Sequence, residues 1–200
     1  MRVFIAGEGP DDIGDWARDP AYHPAHSGGV VESLLRNIHG DGWEIVGGCP
    51  WRRIRKFKVG RGLHGDEVRN VLGAAGEAAE LGCDLIAFVR DRDGDLEREV
   101  AIEEGIHRAT HRGLIPAIVG GVAIEATDAW ILALLGEPNS ERLRDPKWQL
   151  EEKHGINKAA QKANVAASAH LGNVPGDAKS LRGWINRARE ALGGTHGAGS

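Results

Sequence analysis

Asp84-Leu85-Ile86-Ala87-Phe88-Val89, running directly into Arg90-Asp91-Arg92-Asp93-Gly94-Asp95, is the stretch from which the fold can be read. A short apolar run bounded by Asp and by a turn-forming acidic segment reads as a strand. Leu96 to His111 follows with helical length and Glu at its start, where carboxylates suit the positive end of a helix dipole. Strand, acidic loop and helix make one βα unit. Working outward, Arg2 to Ala6, Trp43 to Val46 and Leu114 to Val119 read as further strands. Val30, Val31, Leu34, Leu35 and Ile38 fit one helical stripe, and Val68, Val71, Leu72, Ala75 and Ala79 another, stopped at Leu81-Gly82. Strands alternating with helices imply a parallel sheet with crossover connections. The expected architecture is a doubly wound, mostly parallel α/β layer over residues 1–138.

Glu137-Pro138-Asn139-Ser140 breaks that pattern, and no strand is expected after it. Asn157 to His170 and Leu181 to Leu192 read as helices, so residues 139–192 are expected to form a helical extension and 193–200 a disordered tail. The 200 residues suit about one domain of ~150 residues with an appendage. Lys and Arg total 25 against 29 Asp and Glu, for a net charge of −4, which excludes a general polybasic nucleic-acid glue. Only Cys49 and Cys83 are present, so neither a disulfide scaffold nor a thiolate zinc site is suggested. No apolar run approaches the ~20 residues needed to span a bilayer, and the first residues are too short for a signal peptide's apolar region. The expectation is a soluble, cytoplasmic protein with no membrane partner.

In a doubly wound sheet, ligands bind beyond the carboxyl ends of the strands. Here those ends are acidic: the first strand runs into Gly7-Glu8-Gly9-Pro10-Asp11-Asp12, and the third into Asp91-Arg92-Asp93. Glu8, Asp91 and Asp93 are expected to converge, with Asp91 and Asp93 on one face by strand alternation. Hard oxygen ligands clustered this way favour Mg²⁺ or Mn²⁺ over softer metals. A plain reading stands beside this one: an Asp-rich turn with Asp95 capping the next helix. The dinucleotide fingerprint fails because Asp12 stands where Gly is required, and Gly9 to Gly14 lacks the Lys of a phosphate-binding P-loop. An EF-hand beginning at Asp91 fails at Leu96 and Ile102. The Asp-x-Asp-Gly run also looks like the nucleophile loop of haloacid-dehalogenase-type phosphatases, although that loop belongs on the first strand and would leave Glu8 unused.

Strand-Glu8-Gly9 followed by strand-Asp91-x-Asp93 resembles the Toprim fold, the metal-binding module of topoisomerases, bacterial primases, small maturation ribonucleases and OLD-type nucleases. With Ile124-Glu125-Ala126-Thr127-Asp128-Ala129-Trp130, the pattern is similar to stand-alone Toprim-like proteins encoded beside ATPases in bacterial defence loci. The resemblance covers roughly residues 1 to 136. It implies catalytic roles for Glu8, Asp91 and Asp93, further metal contact from Asp12, and one more carboxylate from either Glu125 or Asp128. Asp128-Ala129-Trp130 replaces the usual Glu-Ala-Trp, which leaves that choice open.

Trp51 to Arg61 carries six basic residues and no acid, the expected footprint for a phosphate backbone. Arg52, Arg53, Arg55, Lys56 and Lys58 are the candidate nucleic-acid contacts, with Trp51 and Phe57 available to stack on unpaired bases. Lys158 and Lys162, four apart, read as an ordinary wet helix face. His107 and His111 read as a surface pair without the zinc-protease motif, and no role is assigned to His23 and His26. The resulting expectation is a Mg²⁺- or Mn²⁺-dependent nuclease, the effector of an anti-phage or toxin-like system with an ATPase partner. The alternatives are a non-catalytic Toprim-like regulator or tether of such an ATPase and, third, the phosphatase.

Overall fold

The computed structural model describes residues 1–17, 28–57 and 65–193. In chain order the elements are β1 (Arg2–Gly7), α1 (Pro10–Ile13), α2 (Val30–Ile38), β2 (Glu44–Pro50), α3 (Asp66–Glu80), β3 (Leu85–Phe88), β4 (Arg90–Asp91), α4 (Leu96–His111), β5 (Ala117–Val119), β6 (Val122–Ala123) and α5 (Thr127–Leu134). Three helices follow: α6 (Pro146–His154), α7 (Ala159–Ser168) and α8 (Lys179–Gly193). The main sheet has the order β2-β1-β3-β5 with every neighbour parallel. β4 and β6 form a separate short parallel pair, Arg90 opposite Val122 and Asp91 opposite Ala123.

Strand alternation sorts two cores. Val3, Ile5, Leu85 and Ala87 face one way, against Val31, Leu34 and Leu35 of α2, Trp130 and Ile131 of α5, and Leu181 and Trp184 of α8. Phe4, Ala6, Ile86 and Phe88 face the other way, against Val68, Val71, Leu72 and Ala75 of α3 and Ile102 of α4. Helices therefore cover both faces, as a doubly wound α/β arrangement requires. The stripe on α3 closes on Ala78, with Ala79 exposed.

The helices after Pro138 pack onto the sheet and share its core. Leu150, Ala166, Trp184 and Leu192 belong to the same buried cluster as Val3 and Ile5. The Trp184 Nε1–H donates to the Phe88 carbonyl at 3.0 Å, and its ring lies 6.0 Å from that of Trp130. α6 was not foreseen: the Asp145 carboxylate caps the Trp148 N–H at 2.9 Å and Pro146 occupies the first turn, where it needs no hydrogen bond. Residues 194–200 lie outside the described residues, and Gly193 closes α8. Among the described residues no helix is long and apolar enough to cross a membrane.

Candidate functional site

The carboxyl ends of β1 and β4 meet the start of α5 in a cleft of about 250 Å³ lined by Glu8, Asp11, Asp12, Asp91, Thr127, Asp128 and Lys162. Two glycines permit the packing that builds it. A Cβ at Gly7 would lie 2.5 Å from the Asp12 Cβ, and one at Gly29 would lie 2.3 Å from the Asp12 carbonyl carbon. Asp12, on α1, is therefore pressed between the end of β1 and the start of α2, and it is only 3% exposed.

The hydrogen bonds around Asp12 are specific. Its Oδ2 accepts the Glu8 N–H at 2.7 Å, and its Oδ1 lies 2.8 Å from the Thr127 Oγ1. The same Thr127 Oγ1 lies 2.7 Å from Asp91 Oδ1, which also accepts the Thr127 N–H at 2.8 Å. A threonine hydroxyl has one hydrogen to donate. Only one of the two carboxylates can receive it, and the other contact is a hydrogen bond only when that carboxyl carries its own proton. The electrostatics agree. Burial, then the Asp91 charge, push the Asp12 carboxyl from 3.8 up to about 7 against the Thr127 hydrogen bond. Asp91 is raised as well, by burial first, with its Thr127 hydrogen bonds opposing and Asp93 and Asp128 adding repulsion.

Glu8 pairs with the Arg90 guanidinium, and its Oε1 accepts the Asp91 N–H at 3.2 Å. On the opposite wall the Lys162 ammonium, from α7, lies 2.5 Å from both Asp11 Oδ2 and Asp128 Oδ1. This corrects the wet-face reading of Lys162, which is 4% exposed. Burial disfavours its charge, and the two carboxylates outweigh burial and raise its pKa. Among the described residues, neither Asp12 nor Asp91 forms an ion pair, and the Arg90 charge reaches Asp91 only through space.

Asp93 stands apart from the cleft. Its backbone adopts φ +50°, which breaks the extended alternation that would have placed it beside Asp91. Its Oδ2 accepts from Arg98 at 2.8 Å, and the same guanidinium nitrogen binds the Asp91 and Arg92 carbonyls at 2.6 and 2.9 Å. Glu125, at φ +66°, pairs with Arg92, whereas Asp128 lines the cleft, so the carboxylate that α5 contributes here is Asp128. Asp95 caps α4, accepting the Glu97 N–H at 3.1 Å, as the plain turn reading expects.

The donor chemistry of Glu8, Asp12 and Asp91 fits a hard divalent cation: oxygen ligands only, with a proton supplying the positive charge that the pair at Thr127 lacks. As the side chains stand, no group of three or more His, Cys, Asp or Glu among the described residues closes on one point. Loading would require the Arg90–Glu8 pair to loosen.

In the basic segment Arg52, Arg53, Arg55 and Lys56 are exposed, while Lys58 lies outside the described residues, as do His23 and His26. Trp51 is not available to stack on bases. It is 5% exposed, its ring packs 5.3 Å from that of Phe88, and its Nε1–H donates to Glu67 at 2.7 Å. The ring of Phe57 is covered by the Arg112 guanidinium at 5.3 Å. Lys56 pairs with Asp66 at 2.6 Å. His107 and His111 stack on α4 with ring centroids 6.3 Å apart. Asp11 and Thr127 line the cleft without having been singled out in the sequence, and Lys162 joins them against its wet-face reading. No protein-family model matches the chain, and comparison with curated proteins and with solved structures finds no match.

Proposed function

We propose that this chain is a Mg²⁺- or Mn²⁺-dependent phosphodiesterase acting on nucleic acid, built on a Toprim-like sheet. One observation carries the reading: Asp12, buried, and Asp91, half-buried, form no ion pair among the described residues and share one hydroxyl at the carboxyl edge of a parallel sheet. Glu8, Asp12 and Asp91 would hold the ion, with Asp128 facing them. Such an ion, when bound, polarises a phosphoryl oxygen and lowers the pKa of water. The chain's own residues supply the rest. Lys162, fixed between Asp11 and Asp128, offsets part of the negative charge of the cleft wall and holds both carboxylates in place. Arg52, Arg53, Arg55 and Lys56 attract and orient the strand, and Arg52 shares a second cleft with Glu8.

The test pairs melting curves with cleavage of labelled oligonucleotides. A native-state ligand at 100 times its Kd stabilises by about 2.7 kcal/mol, so Mn²⁺ should raise the melting temperature and support cleavage, and Asp91→Asn should lose both. A parent indifferent to Mn²⁺ that cuts nothing overturns the reading. That outcome would favour a second one, a non-catalytic partner of an ATPase, which draws on Lys162: an internal ammonium already neutralises part of the cleft. The effector role and the ATPase partner rest on the Toprim resemblance, and co-purification with the product of a neighbouring ATPase gene tests them.

A further inference from the structure

We propose that Arg90 is a phosphate-binding residue held in reserve by Glu8: a strand phosphate entering the cleft beside the acidic site takes the guanidinium, and the freed Glu8 carboxylate completes the cation site. The proposal rests on the nucleic-acid reading above and adds to it the means by which substrate gates that site. A cleft of about 600 Å³ opens between the start of α3 and the turn after β2. Its walls carry Arg52, Lys56 and Arg90 against Glu8, Asp66 and Glu67, so the charges balance only while Glu8 counts among them. Neighbouring residues of a strand point to opposite faces. Arg90 and Asp91 on β4 therefore part, Arg90 into this cleft and Asp91 into the acidic one, and Glu8 lines both.

Glu8 is the partner that Arg90 does not share. Glu67 lies 3.2 Å from Arg90 Nε and 3.3 Å from Arg98 Nε, and it also accepts from Trp51 at 2.7 Å. Asp93 is 3.9 Å from Arg90 Nη1 but 2.8 Å from Arg98 Nη1. Glu8 in turn spends its Oε1 on the Arg90 guanidinium and the Asp91 N–H, and no three candidate ligands close on one point among the described residues. The two side chains are 16% and 33% exposed. A largely buried pair that loses one member leaves the other charge uncompensated, which is strongly unfavourable. Burial and the adjacent Arg98 charge oppose a bare guanidinium at Arg90 further. Neither group leaves alone: Glu8 needs a cation and Arg90 an anion at once. Phosphate is an anion that a guanidinium fork binds bidentately. Arg52, exposed and without a carboxylate partner among the described residues, lines the same cleft and adds a second charge for it. Divalent cation and phosphate therefore bind with positive coupling, and by linkage each strengthens the other equally.

The test is isothermal titration with thymidine 3′,5′-bisphosphate, which offers phosphates and no diester to cut. In EDTA, Glu8→Gln should bind it about tenfold tighter than the parent, coupling of this kind being typically ~5–150-fold. In an Arg90→Gln background most of that gain should vanish, since a double-mutant cycle isolates the pair. If Arg90→Gln fails to fold, Arg90→Lys takes its place, keeping the charge without the fork, and should likewise cut the gain. A gain of equal size in both backgrounds is a general charge effect and overturns the proposal, as does a bisphosphate that binds none of these proteins. In the second arm Mn²⁺ is titrated with and without bisphosphate, corrected for its binding to the bisphosphate alone. The parent should gain about tenfold in metal affinity when the bisphosphate is present. Arg90→Gln should bind Mn²⁺ more tightly than the parent in its absence and gain little from adding it. Equal gains in both proteins would mean that the phosphate bridges the metal directly, and the gate falls. Mn²⁺ that binds none of these proteins sinks the nuclease reading and the gate together; Mn²⁺ bound without coupling sinks the gate alone.

Discussion

Replacing Asp12 with Asn should stabilise the protein at pH 8 and do nothing near pH 4, because the buried pair at Thr127 needs one proton and loses it as pH rises. Folded, the Asp12 carboxyl titrates at about 7 against an ordinary 3.8. Below the lower value it is protonated in both folded and unfolded chains, so its full contribution is present. Between the two only the folded chain binds the proton, and stability falls by about 1.4 kcal/mol per pH unit. Above about pH 7 the loss is complete, at roughly 4 kcal/mol for a carboxyl moved this far. Asn reproduces the protonated state: its NH₂ can face Thr127 Oγ1 and its oxygen the Glu8 N–H, the two contacts Asp12 makes now. Relaxation of the cleft reduces the gain to about 2–4 kcal/mol, and at ~2–4 °C per kcal/mol for a chain of this size the melting temperature should rise by ~4–16 °C at pH 8. The assay is thermal unfolding of parent and variant in EDTA from pH 4 to 8, and their difference reports the Asp12–Asp91 pair, since groups elsewhere titrate alike in both proteins. A difference that stays constant with pH refutes the shared-proton argument. Mn²⁺ should also flatten the parent's curve above pH 5, since a cation replaces the proton.

Lys162→Met leaves Asp11 and Asp128 facing each other without their ammonium, and the loss of one partner of a buried pair should cost about 3–5 kcal/mol in urea unfolding at pH 8; an unchanged midpoint would show the pair to be idle. Isothermal titration with Mn²⁺ should find binding abolished in Asp91→Asn and largely retained in Asp93→Asn, because Arg98 holds Asp93 outside the cleft; equal losses would mean that Arg98 releases it. Gly29→Ala drives a Cβ into the Asp12 backbone and should lower stability by about 2 kcal/mol or more, whereas Gly9→Ala, with nothing within 4 Å, should be near neutral. Neutralising Arg52, Arg53, Arg55 and Lys56 together should lower the salt slope of oligonucleotide binding by about 2–3 without changing the melt; the parent's slope would make the segment a bystander.

The sheet was legible because its signal is local. Arg2 to Ala6 and Asp84 to Val89 are apolar runs whose alternation feeds two helical layers, and β1 and β3 fall on them. Turn conformation was less legible. Alternation places Asp91 and Asp93 together only while the chain is extended, and φ +50° at Asp93 reverses its side chain. Long-range burial was not legible at all. Lys158 and Lys162 share a spacing typical of a wet face, and only the docking of α7, 151 positions along from Asp11, turns Lys162 inward. Trp51 misled for the same reason, since its partner Phe88 lies on another strand. α6 went unread because its exposed Trp148, 58% accessible, gives it no clear apolar stripe.

The seating of Lys162 also sets an order on synthesis. A chain emerging from the ribosome presents β1, its acidic loop, and later α5 before α7 has been made, and folding proceeds by domains as they appear. Until α7 and α8 dock, Asp11 and Asp128 have no ammonium between them, and Trp130 has no Trp184 against it. The nascent chain can hold the outline of the sheet, but its acidic edge stays mutually repelling and one apolar face stays uncovered. The electrostatics of this edge are therefore completed only when α7 docks.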